Sequence, residues 1–139
     1  MKISARNQFR GKITKITKGA VNGIVELDVN GEKITSTISM GSIEELGLKA
    51  GKEAVAVIKA TEVMITPEKH LAISARNQIR GKVTEVEEGA VNGIVKLDAD
   101  CGCKVSATIS MNAIKELGIA AGKEATAVIK ATSVMIATD

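Results

Sequence analysis

Apolar and polar positions alternate with a period of two through most of the chain, the spacing of strands that bury one face. Phe9 to Lys18 sets Ile13 and Ile16 among Lys and Thr, and Val25, Leu27 and Val29 alternate with Glu26 and Asp28. Asn30-Gly31 supplies a two-residue hairpin turn, with Lys33 to Ser39 as the return strand. The pattern breaks at Ser42-Ile43-Glu44-Glu45-Leu46-Gly47, which predicts a helix of one to two turns: Ser42 and Glu45 have capping-box spacing and Gly47 is a C-terminal stop. Two runs apolar at nearly every position, Ala54 to Ile58 and Val63 to Ile65, predict strands covered on both faces. The barrel core covers one face and a neighbouring copy or subunit the other, so obligate oligomerisation is expected. Met64 and Met135 lie in such runs and are expected to fill core space.

This pattern occurs twice. Residues 3–28 match 73–98 at 19 of 26 positions, and residues 37–65 match 108–136 at 22 of 29. The extra residue of copy two falls in Ala99-Asp100-Cys101-Gly102-Cys103-Lys104, where it lengthens a turn. The units are read as 1–66 and 73–139, joined by a linker at 67–72 that holds the only proline, Pro67. Five short strands with one short helix before the fourth predict an all-β fold of tandem, OB-like five-stranded barrels. Strand order alone leaves an SH3-like barrel open. In copy two Ala113 stands where copy one has Ser42, which hands the expected helix cap to Asn112.

Composition then removes function classes. Phe9 is the only aromatic residue, so stacking platforms for single-stranded nucleic acid are absent, and the net charge of +3 is not concentrated in basic blocks. Nucleic acid is therefore not the expected partner. The sequence contains no signal peptide or long apolar run, which reads as a soluble cytoplasmic protein with no membrane partner. Cys101 and Cys103 have no counterpart in copy one and are too close for an ordinary disulfide in extended chain. With a single His, in the linker at His70, they make a poor metal site. No nucleophile–base pair and no acid pair is found, so neither an enzyme nor a catalytic cofactor is expected.

The most faithfully repeated object is Ile3-Ser4-Ala5-Arg6-Asn7-Gln8, which returns unchanged at residues 73–78. It offers a hydroxyl and a rigid guanidinium fork with no acid beside them, a set suited to holding an oxyanion. Lys59-Ala60-Thr61 and Lys130-Ala131-Thr132 place a second repeated cation at a strand end. Gly19-Ala20-Val21-Asn22-Gly23 and Gly89-Ala90-Val91-Asn92-Gly93 either expose backbone N–H groups to an anion or a subunit, or are simply hairpin turns. Gly47 to Glu53 imitates a phosphate loop, but three residues separate its glycines instead of four and Glu53 replaces the magnesium-binding hydroxyl, so no nucleotide site is expected.

Ser-Ala-Arg-Asn-Gln at 4–8 and 74–78, Gly-Ala-Val-Asn at 19–22 and 89–92, Leu-Gly-Leu at 46–48 and Val-Ile-Lys-Ala at 57–60 and 128–131 together resemble the Mop domain of the molbindins. Two copies without a further module resemble the di-Mop members. The resemblance implies an OB-type fold, a homotrimer, and molybdate or tungstate held at subunit and domain boundaries for intracellular storage and homeostasis. Carried across by position, it implies one class of site from Ser4, Arg6, Ser39, Ser42, Lys59 and Ala60, matched by Ser74, Arg76, Ser110, Lys130 and Ala131. A second class near the threefold axis would use Ala20, Val21 and Asn22 with Ala90, Val91 and Asn92. No side chain is implied as a direct ligand of a metal cation. Ala113 departs from the pattern by one hydroxyl, which predicts unequal copies. The alternative reading is an OB-fold interaction module for nucleic acid or a protein partner.

Overall fold

A computed structural model describes all 139 residues. Alternating burial organises copy one into β1 (Asn7–Lys18), β2 (Asn22–Val29) and β3 (Glu32–Ser39), then α1 (Met40–Glu45), β4 (Glu53–Ile58) and β5 (Met64–Thr66). Copy two repeats this as β6 (Asn77–Glu87), β7 (Asn92–Ala99), β8 (Lys104–Ser110), α2 (Met111–Leu117), β9 (Glu124–Ile129) and β10 (Met135–Ala137). The β2–β3 hairpin turns through Asn30 and Gly31, whose φ angles of 51° and 91° are both positive, as a two-residue turn between twisted strands requires. The all-β expectation of two OB-like units, each with one short helix before its fourth strand, holds.

The two units exchange their last strands. The sheet orders are β10-β4-β1-β2-β3 and β5-β9-β6-β7-β8, with Ile136 opposite Ala56 and Ile65 opposite Ala127. Each exchanged strand covers an edge that would otherwise expose unpaired backbone groups. Repeat boundaries and sheet boundaries therefore differ. One cluster of 27 buried residues runs through both copies, from Phe9, Ile13 and Leu27 to Leu97, Ile129 and Val134, so neither copy has a core of its own.

Two buried asparagines sew the copies together. The Asn7 side chain donates to Ser106 O (2.9 Å) and Ile58 O (3.2 Å) and accepts from Ser106 N (2.8 Å). Asn77 does the same to Thr35, accepting from its N–H at 2.7 Å and donating to its C=O at 2.8 Å. Each amide imitates a strand partner for the other copy's β3 or β8, which satisfies groups that burial would otherwise leave unpaired. Ser36 adds a bond in one direction only, donating to Val134 O at 2.6 Å, whereas the equivalent position in copy two is Ala107.

The doubly apolar strands are covered within the chain. Val55 and Val57 pack on Ala5, with Ala137 of β10 beside them. In copy two the linker does this work: Thr126 donates to Lys69 O (3.0 Å), Gln78 pairs with both backbone groups of Leu71 (2.8 and 2.9 Å), and Arg80 reaches Glu68 O (3.2 Å).

Three local expectations need correction. Helix α1 starts at Met40, and its cap is Ser39, whose oxygen accepts from Ser42 N at 3.1 Å; Ser42 lies inside the first turn. In copy two Ser110 caps α2 through Ala113 N (3.1 Å), and Asn112 is not the cap. The last strand residue already has the extended backbone that a cap needs, so capping falls to it. Met64 and Met135 are exposed, at 42% and 43%, because in these short strands they point outward while Ile65 and Ile136 pack on the core. The false phosphate loop serves the helix end instead: Lys52 Nζ donates to Leu46 O at 2.9 Å. No helix is long and apolar enough to cross a membrane.

Candidate anion-binding site

Strand register assembles the site. Asn7 lies opposite Ile58 in the antiparallel β1–β4 pair, so the residues just outside that rung, Arg6 and Lys59, become neighbours. Asn77 opposite Ile129 brings Arg76 to Lys130 in the same way. The asparagine at each rung is buried and hydrogen-bonded through both its amide oxygen and its amide nitrogen, which fixes where the cassette leaves the sheet.

The result is a pair of shallow cavities. The first, about 210 Å3, is lined by Ser4, Ala5, Arg6, Lys59, Ala60 and Thr61. The second, about 300 Å3, is lined by Ser74, Ala75, Arg76, Lys130, Ala131 and Thr132, with Thr37 contributed by copy one. Neither lining contains a carboxylate. Arg6, Lys59, Arg76 and Lys130 take part in none of the five ion pairs of the molecule. Each cavity thus offers two uncompensated cations and hydroxyl donors to one anion, and no base to react with it. A third cavity of about 400 Å3 shares Arg6 and Ala60 but is closed by copy two, through Ser106 and Thr108 among others.

Other expected site residues gather elsewhere. Ser39 lies opposite Asn22 on the β2–β3 ladder, and its hydroxyl donates to Ser42 Oγ at 2.9 Å. Ser39, Ser42 and the Ala20-Val21-Asn22 loop therefore form one corner, and Ser110 with Ala90-Val91-Asn92 another. One chain does not bring these corners to the Arg6 and Arg76 cavities. The loops are held stiffly: Met40 N donates to Val21 O and Met111 N to Val91 O, both at 2.8 Å. A side chain at Gly23 would meet Ile43 at 2.6 Å, so glycine lets the helix lie on the loop. Val21 and Val91, each 75% exposed, are the most exposed large apolar side chains.

The threonines lining the cavities were not singled out from the sequence, although Thr61 and Thr132 stand within the repeated Lys-Ala-Thr segments; Thr37 required the packing of one copy on the other. Cys101 and Cys103 are free thiols. Burial, and then the adjacent Cys101, push the Cys103 thiol up to about 12, so it is neutral at physiological pH. No three His, Cys, Asp or Glu residues are grouped to hold a metal ion.

The TOBE domain model matches residues 3–65 and again residues 73–136. The chain belongs to the TOBE-domain family. Within it the resemblance to Mop proteins is borne out. Copy-length similarity reaches 53% identity over 66 residues with the probable molybdenum-pterin-binding protein of Haemophilus influenzae, covering 96% of that protein and 47% of this chain. The molybdenum transport protein ModE of Azotobacter vinelandii is 40% identical over 138 residues, 99% of this chain and 51% of ModE. This TOBE pair thus spans about half the length of ModE. It superposes on the cytoplasmic molybdate-binding protein ModG, solved with molybdate bound, with a TM-score of 0.97 at 39% identity over 100% of both chains.

Proposed function

We propose that this chain is a cytoplasmic, non-catalytic oxyanion-binding protein that holds molybdate, or tungstate in its place, for storage and homeostasis. The observation that carries the reading is the twice-built cavity in which an unpaired Arg, an unpaired Lys and a Ser hydroxyl converge without a carboxylate. A doubly charged tetrahedral oxyanion accepts from all of these donors and needs no proton exchange to be held. Likeness to molybdate-bound ModG over the whole chain supports the choice of ion.

In this reading Ser4, Arg6, Lys59 and the Ala60 backbone hold one anion, and Ser74, Arg76, Lys130 and Ala131 another. The hydroxyls of Ser39, Ser42 and Ser110 arrive from a neighbouring subunit, because each lies away from the cavities of its own chain. A homotrimer places the exposed Val21 and Val91 loops together around its axis, where the backbone at Ala20, Asn22, Ala90 and Asn92 forms the second class of site. The experiment is equilibrium dialysis against molybdate, with native mass spectrometry to count subunits and bound ions. Arg6→Ala weakens uptake at the sites of copy one about ten- to a hundredfold and leaves the oligomer assembled; unchanged stoichiometry and affinity would remove Arg6 from the site. A monomer that takes up no oxyanion would end the reading altogether.

A further inference from the structure

The contacts of the two cassettes lead to residues of opposite charge. Asn7, next to Arg6, is bonded to Ser106, and Ser106 lies opposite Lys96 on the β7–β8 ladder. Asn77, next to Arg76, is bonded to Thr35, and Thr35 lies opposite Glu26 on the β2–β3 ladder. The same chain of contacts therefore ends in a lysine for copy one's cassette and in a glutamate for copy two's. Lys96 and Glu87 line the 400 Å3 cavity that also contains Arg6. Lys96 Nζ lies 2.8 Å from Glu87 Oε2 and 3.6 Å from Glu85 Oε2, and its side chain keeps 44% of its exposure, so it is free to reorient. Glu26 is far less exposed, at 19%, and its partner Lys33 is 3.3 Å away.

We propose that Lys96 is a third cation of the Arg6 site, exchanging Glu87 and Glu85 for the bound oxyanion. This deepens the oxyanion-binding reading and rests on it. The flexible Lys stem lets the ammonium move between a carboxylate and a ligand, which a rigid guanidinium does less readily. Its hydrogen bond to Glu87, and then the charges of Glu85 and Glu87, raise the Lys96 pKa while those contacts last. The carboxylates it leaves behind remain solvated, which keeps the exchange inexpensive.

Calorimetric titration with molybdate tests this in two backgrounds: Arg76→Ala reports the Arg6 sites and Arg6→Ala the Arg76 sites. Adding Lys96→Ala to Arg76→Ala weakens binding about two- to fivefold, a loss that shrinks as salt rises, because the group is solvent-facing. The same change in the Arg6→Ala background leaves affinity unaltered. Lys96→Arg restores most of the affinity lost in Lys96→Ala, which separates charge from packing. Equal effects in both backgrounds, or none in either, overturn the role of Lys96 while wild-type uptake still upholds oxyanion binding. Failure of the wild type to bind molybdate sinks both.

Discussion

Around Asn7 and Asn77 the two halves of the molecule are interchangeable: each amide is buried, closes two hydrogen bonds on a backbone rung of the other copy, and precedes an arginine facing a carboxylate-free cavity. A few ångströms outward the halves part company. Ser36 bonds Val134 O where Ala107 offers only a methyl group, Lys96 replaces Glu26, Ala113 replaces Ser42, and Thr126 ties down the linker where Val55 packs on Ala137. The two asparagines stay the same in both copies, since losing either amide would leave backbone groups of the other copy without partners. Positions at the rim carry no such obligation and are free to make two unequal sites.

Breaking the symmetric part should cost most. Asn77→Ala strands both the N–H and the C=O of Thr35, and is expected to lower unfolding free energy by about 2–5 kcal/mol, since each buried unsatisfied group costs roughly 1–3. Urea denaturation measures it; a loss under half a kcal/mol would mean that water replaces the amide. At the sites, Arg6→Ala and Arg76→Ala each remove a charge-assisted bond of about 1.5–3 kcal/mol, or about ten- to a hundredfold in molybdate affinity by dialysis, with little change in melting temperature. Ser36→Ala makes copy one resemble copy two and is expected to cost about 1–2 kcal/mol, seen as an earlier urea midpoint at constant slope.

The smallest effect separates the hairpin turns. Burial, and secondarily the charge of Asp100, raise the pKa of Glu32. Ionised Glu32 therefore weakens the fold above that raised native value, and the penalty disappears as pH falls through it to the unfolded one. Glu32→Gln should be slightly more stable than the wild type at neutral pH and equal to it in acid, which thermal melts across pH check. A gain that persists in acid would assign the effect to packing.

Much of this was legible along the chain, for reasons that particular residues show. The Asn30-Gly31 turn and the Val25-Leu27-Val29 alternation are local signals, and they read correctly because hairpin partners are neighbours in sequence. The pattern places the helix cap three residues late, because Ser42 and Glu45 imitate a capping box while Ser39, at the end of β3, already has the extended backbone a cap requires. Met64 and Met135 were misread because a three-residue apolar run does not show which way its side chains point.

The linear sequence by itself determined that one unit occurs twice, that it is built of short strands, and that serine, arginine and lysine donors recur without acids, since these depend only on residue type and spacing. Only the tertiary structure decided that β5 and β10 change places, because a three-residue strand has no preference for a partner until distant edges present their unpaired N–H and C=O groups. The same holds for Lys96, whose place in a cavity with Arg6 follows from the packing of one copy on the other.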